Sequence, residues 1–114
     1  MVEHKDEQTL SEMLRALSDT TRRSLLTQLA QQGPTRVTDL ASYYAMSLNG
    51  ISKHIKVLEK AGLVTRKTLG RVHWIEANLN NINHIEQWLA QLKSIWALRL
   101  EKLDDLLRPD ITED

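Results

Sequence analysis

Residues 47–61 read SLNGISKHIKVLEKA, with Gly62-Leu63-Val64 directly after them. The stretch carries three lysines and a histidine against a single acid, Glu59. At a helical advance of about 100° per residue, Leu48, Ile51, Ile55 and Leu58 fall on one side and are expected to be its core face. Asn49, Lys53, Lys56 and Lys60 fall on the opposite side, with Ser52 and His54 on the two shoulders. Ser47 has N-cap chemistry, and Gly62 beyond Ala61 is a natural left-handed residue past a helix end. The outward stripe combines an amide able to pair with adenine and ammonium groups suited to phosphate or guanine. Gly50 near the helix start has a propensity cost that points to a close approach. The helix N-terminus offers N–H donors and a positive dipole end to a phosphate. On its own, such a face is also what a solvated lysine stripe looks like.

Charge elsewhere sharpens the contrast. The chain has 114 residues and a formal net charge of zero. Residues 1–46 hold 5 Lys/Arg against 6 Asp/Glu, residues 47–73 hold 6 against 1, and residues 74–114 hold 4 against 8. Segregation of this kind implies one surface that meets an anion and another that does not. The length suits a single domain over 1–114 with a thin core. Cysteine is absent, so disulfides, thiolate metal sites and thiol redox chemistry are excluded. No apolar run reaches the length of a membrane span, and the polar start Met-Val-Glu-His-Lys-Asp-Glu does not read as a signal peptide. A soluble, cytoplasmic protein is expected. Pro109 to Asp114 reads as a frayed tail.

Working outward, Leu10, Met13, Leu14 and Leu17 mark a first amphipathic helix over 7–17. Ser18-Asp19-Thr20-Thr21 can cap a second, which turns Leu25, Leu26 and Leu29 inward and stops at Gly33-Pro34. A short third helix follows, with Val37, Leu40 and Ala41 on its inner side, ending near Tyr43-Tyr44. Beyond Gly62, Leu63 to Thr68 and Arg71 to Ala77 read as a two-stranded hairpin turning at Leu69-Gly70. A long helix is expected over 82–107, with Ile82, Ile85, Leu89, Leu92, Trp96, Leu103 and Leu106 at 3–4 spacing and Arg99 as an interruption. Trp88 and Ile95 widen its stripe. A chain this small cannot bury that stripe itself, so a partner chain is expected to cover it.

The third helix, the turn at Ala45-Met46 and the basic helix together make a helix-turn-helix over 37–61. The hairpin over 63–77, with Arg66, Lys67, Arg71 and His73, then serves as a wing. Here the resemblance becomes specific. Leu17-Ser18-Asp19-Thr20-Thr21-Arg22-Arg23-Ser24-Leu25-Leu26, Asp39-Leu40-Ala41, Ile51-Ser52-Lys53-His54-Ile55 through Leu58 to Ala61-Gly62-Leu63-Val64, and Gly70-Arg71 occur in order. Over residues 16–77 the chain resembles the winged-helix repressors of the ArsR/SmtB superfamily. Its C-terminal segment is similar to a branch that often lacks metal ligands and carries tryptophan in the last helix.

The resemblance implies a mainly α fold with a small β-hairpin, a homodimer built through first and last helices, and a double-stranded DNA operator as partner. It places Ser47 as the helix cap, and Asn49, Gly50, Ser52, Lys53 and His54 on the DNA-reading helix. Lys67 and Arg71 match the wing, and Lys56 joins the set through its place on the outward stripe. Three positions depart from the pattern. Leu48 replaces a commonly polar residue, Ala45 replaces a usual Gly, and Leu69 sets an apolar side chain at the wing tip.

Metal sensing in such proteins needs visible ligands. Arg36-Val37-Thr38-Asp39 stands where a Cys-x-Cys pair would be, and His84-Ile85-Glu86 lacks its distal half because Ala97 and Leu100 cannot bind a metal. His4, Asp6 and Glu7 are better read as a mixed-charge N-terminus, so no metal or cofactor is expected. His54 has two open readings, a phosphate contact or a hydrogen bond within the fold. Trp88 and Trp96 read as core or interface residues, and Trp74 as packing the hairpin onto the domain. An enzyme is rejected, because no Gly-rich loop, carboxylate pair or Ser/His/Asp set is brought together. The remaining alternatives are a protein-interaction module on the same fold, anchored by Leu48 and Leu69, or a repressor with a non-standard effector site. The operator, the regulated genes and any effector have no signature in the chain.

Overall fold

Two capping side chains and one glycine set the frame of the domain. The computed structural model describes residues 2–108, with side chains from Glu7 onward. The expected tail at 109–114 and the side chains of His4 and Asp6 lie outside the described residues. Helix α1 spans Val2–Ala16 and α2 spans Thr20–Gln32, the latter capped by the Asp19 carboxylate. Strand β1 is Thr35–Arg36, α3 is Val37–Ser42, and α4 is Leu48–Lys60 with Ser47 as its cap. Strands β2 (Val64–Leu69) and β3 (Val72–Ala77) form the hairpin, a 3-10 turn covers Leu79–Ile82, and α5 runs Asn83–Leu107. Helix α1 starts earlier than its apolar spacing signals, because polar residues ahead of Gln8 carry no periodicity to read.

Ile51, Ile55 and Leu58 of α4 are fully buried with Met13, Ala16, Leu25, Leu29, Leu40, Leu63 and Ile75. Each such aliphatic side chain contributes about 1.5–3 kcal/mol on burial, which locks the rotation of α4 about its own axis. Leu48 corrects the reading of that stripe. It shares the angular sector but is 48% exposed, because it is the first helical residue and projects past the end of the core. Leu14 is likewise exposed at the edge of α1.

The wing is three-stranded rather than a simple hairpin. The order is β1-β3-β2, with Thr35 opposite Ile75 and Arg36 opposite Trp74 on one side, and Val64 opposite Ala77 through Leu69 opposite Val72 on the other. A two-residue strand is too short for alternation to reveal it. Ile75 points into the core, so Trp74 stands on the other face, where it lines a shallow hollow with Pro34, Lys67 and Leu69. Trp74 thus covers the outer face of the sheet and does not pin the hairpin to the core.

The 3-10 turn and the first turn of α5 pack on the domain through Ile82 and Ile85 respectively. Beyond them Trp88, Leu89, Leu92, Ile95, Trp96, Leu103 and Leu106 are all exposed. Among the described residues, no helix is long and apolar enough to cross a membrane.

Gly62 joins α4 to the wing with φ of 77°, a left-handed conformation that a side chain strains. Asn81 donates its Nδ2 to the Gly62 carbonyl at 2.8 Å, and a Cβ on Gly62 would sit 2.6 Å from that nitrogen. Gly70 at the wing turn also has a positive φ, but nothing lies within 4 Å of its added Cβ. Gly62→Ala is therefore expected to cost more than the about 1–3 kcal/mol of backbone strain alone, and Gly70→Ala no more than that strain. Urea denaturation of the two variants measures the difference; equal losses would show that the Asn81 contact is unimportant.

Candidate nucleic-acid interface

The outward face of α4 is presented as a ridge. Asn49, Lys53 and Lys56 are exposed along it, and Ser52 is half-buried at its shoulder. Ser47 Oγ accepts the Gly50 N–H at 3.0 Å, and the Ile51 N–H bonds the Ser47 carbonyl at 3.0 Å. The cap consumes one donor of the helix N-terminus that could otherwise serve a phosphate. It also explains Gly50. A Cβ there would meet Ser47 Oγ at 3.3 Å and the Met46 Cε at 3.4 Å, so the close approach is within the fold.

His54 sits on the other shoulder and is held from behind. Arg22 Nη1 lies 3.2 Å from His54 Nδ1, and Asp19 Oδ2 lies 3.9 Å from the same nitrogen. A guanidinium can only donate, so when the ring is neutral Nδ1 accepts and Nε2 carries the proton. Arg22 also donates through Nε to the Ala16 carbonyl at 2.7 Å and through Nη2 to the Arg15 carbonyl at 3.2 Å. Arg23 donates to the Leu17 carbonyl at 2.7 Å. The two arginines thereby satisfy the Ala16 and Leu17 carbonyls at the end of α1, and Arg22 adds to the bonds that Ser18 already gives the Arg15 carbonyl. One side chain, Arg22, ties α1, α2 and α4 together. The Thr-Arg-Arg run was visible as a motif, but a contact across 32 residues leaves no trace in local periodicity.

The wing distributes its charges unequally. Arg66 is engaged with Glu59 of α4, Nη2 to Oε1 at 3.3 Å, which braces β2 against the helix. His73 Nδ1 lies 3.2 Å from the Thr68 hydroxyl across the strand pair. Lys67 and Arg71 are exposed, as is Leu69 beside the turn. Among the described residues, no three His, Asp or Glu side chains gather closely enough to hold a metal ion.

A helix-turn-helix domain model matches residues 17–67. The arsenical resistance operon repressor of Bacillus subtilis (strain 168) is 32% identical over 84 residues, covering 68% of this chain and 80% of the relative. The crystal structure of an ArsR family transcriptional regulator superposes with a TM-score of 0.75 at 33% identity, over 80% of this chain and 93% of that one. The chain belongs to the ArsR family. A homodimeric winged helix-turn-helix DNA-binding domain from Mycobacterium bovis shares the fold at 20% identity, with a TM-score of 0.63 over 95% of this chain and 94% of that one.

As an ArsR-family member the chain is a DNA-binding transcriptional regulator of the repressor class. The matched span runs from Leu17 to Lys67, so it contains Arg22, His54 and the whole helix-turn-helix. Tyr44, at the end of α3, adds a further brace that spacing did not reveal: its hydroxyl meets Ser24 and Gln28 of α2, both at 3.0 Å.

The Arg22 N–H donates to the Asp19 carboxylate at 3.0 Å, and this bond, more than the nearby His54 and Arg22 charges, holds the Asp19 pKa below its ordinary value of 3.8. Partial desolvation opposes the shift. A depressed folded pKa contributes stability that is complete above the unfolded value and is lost as pH falls through the folded one. Acidification from about pH 5 to pH 2 should therefore lower the melting temperature of the native protein more than that of Asp19→Asn, which keeps a neutral cap. Parallel acid limbs would show that Asp19 titrates alike in the folded and unfolded chains.

Proposed function

We propose that the protein acts in the cytoplasm as a homodimeric repressor that binds a double-stranded operator, with α4 in the major groove and the wing on the flanking backbone. The observation that carries this reading is the division of α4 into two faces. Ile51, Ile55 and Leu58 of its apolar face are fully buried, so the exposed Asn49, Lys53 and Lys56 have a fixed direction. Asn49 at the N-terminal end is suited to a base edge, and Lys53 and Lys56 to phosphates or guanine. Ser47, Gly50 and Ser52 shape the first turn of the helix against the backbone. His54, with Nδ1 occupied by Arg22, keeps Nε2–H for a phosphate. Lys67 and Arg71 take the adjoining backbone from the wing.

Dimerisation is supported by α5. A stripe of Trp88, Leu89, Leu92, Ile95 and Trp96 left open to water is the kind of surface that a second copy covers. Two copies related by a two-fold axis would present two α4 ridges to successive major grooves, which calls for a two-fold symmetric operator.

Two measurements follow. Lys53→Ala with Lys56→Ala should weaken binding to genomic fragments selected by the native protein. The slope of log affinity against log salt should shrink by about one unit for each phosphate contact removed. Unchanged affinity and slope would mean that α4 does not meet DNA. Separately, Leu92→Glu with Trp96→Glu should convert a dimer to a monomer in sedimentation velocity. A variant that sediments as the native protein does would place the dimer contact elsewhere.

A further inference from the structure

We infer that Leu48 is a sequence-reading residue that seats against the 5-methyl group of a thymine in the operator. This rests on the reading of α4 as the major-groove helix and extends it from backbone binding to base choice. Leu48 is the first residue of α4, immediately after the Ser47 cap, and 48% of it is exposed. It is the one member of the apolar stripe that the core does not take. The turn that leads into the helix carries two further exposed side chains, Tyr43 at 64% and Met46 at 40%. The Met46 methyl end lies over Gly50, which keeps that side chain at the same end of α4.

An exposed apolar side chain at the N-terminal end of a helix whose outward face is cationic is unfavourable in water and has to be matched by what that helix end meets. The lysines of α4 and the wing select a polyanion, which makes the occupant a duplex rather than a protein surface. Residues at the N-terminal end of a recognition helix are those that reach base edges. Within the major groove, the apolar feature of a base edge is the thymine methyl, and aliphatic side chains recognise it by contact. Asn49, next in the chain, offers an amide to a neighbouring adenine. Leu48 and Asn49 together would favour A·T pairs at the centre of each half-site. The same position filled by a glutamine would hydrogen-bond a base and ignore the methyl.

The test removes the methyl from the DNA and leaves the protein intact. Duplexes are selected by the native protein from a random-sequence pool, and each thymine of a selected duplex is then replaced singly by deoxyuridine. At one thymine per half-site the native protein should lose affinity by about fourfold, the effect of withdrawing one methyl from an apolar contact. Leu48→Ala should bind the thymine and deoxyuridine duplexes equally. Leu48→Gln should also lose the discrimination while still preferring adenine or thymine at that pair. Melting curves establish that both variants fold, as expected for an exposed position. If the native protein binds every deoxyuridine duplex as tightly as its parent, or if Leu48→Ala keeps the methyl dependence, the inference is wrong and DNA binding itself stands. If no duplex is recovered from the pool, the reading of α4 fails and this inference fails with it.

Discussion

The burial of Ile51, Ile55 and Leu58 is the constraint on which the rest of this molecule turns. Three aliphatic side chains at positions i, i+4 and i+7 allow α4 only one rotation against the core. Because the lysines and Asn49 occupy the opposite sector, that single choice also decides what faces the solvent. The direction of the cationic ridge is therefore a by-product of hydrophobic packing. No charged residue needs to be held in place by another for the ridge to exist.

Polar contacts then refine a geometry that burial has already chosen. Arg22 is the clearest case, since one guanidinium reaches two carbonyls of α1 and the ring of His54 on α4. Its planar fork can serve several acceptors at once, which a lysine could not do. The consequence is a mechanical link between the helix that borders the proposed dimer contact and the helix proposed to enter DNA. Arg66 and Glu59 do the same for the wing, fixing β2 relative to α4. The second link joins the two elements proposed to meet a duplex together, so less ordering remains to be done on binding.

Most of the elements were legible in the order of residues. Ser47 and Gly62 bounded α4 because a cap hydroxyl and a left-handed glycine are local requirements, independent of the rest of the chain. The hairpin strands and the apolar stripe of α5 were legible through periods of two and of 3–4. The misreadings share one cause. Spacing alone puts Leu48 in the core because periodicity gives an angle but not a depth, and the core reaches only as far as Ile51 in the first turn of α4. Strand β1 is only two residues long, and the outward face of Trp74 depends on which side of the sheet the domain covers.

The candidate site divides in the same way. Residue order alone determined the composition of the ridge: which side chains are cationic, which lie on one helical face, and that the family pattern runs from Leu17 through the recognition helix. Tertiary structure decided how those groups are used. It turned Arg66 inward to Glu59, gave His54 to Arg22, and left Leu48 exposed at the N-terminal end of α4. The reason is physical: helical phase is set by neighbours three or four residues away. Exposure and pairing are set by elements that arrive from thirty residues away, and local spacing carries no record of them.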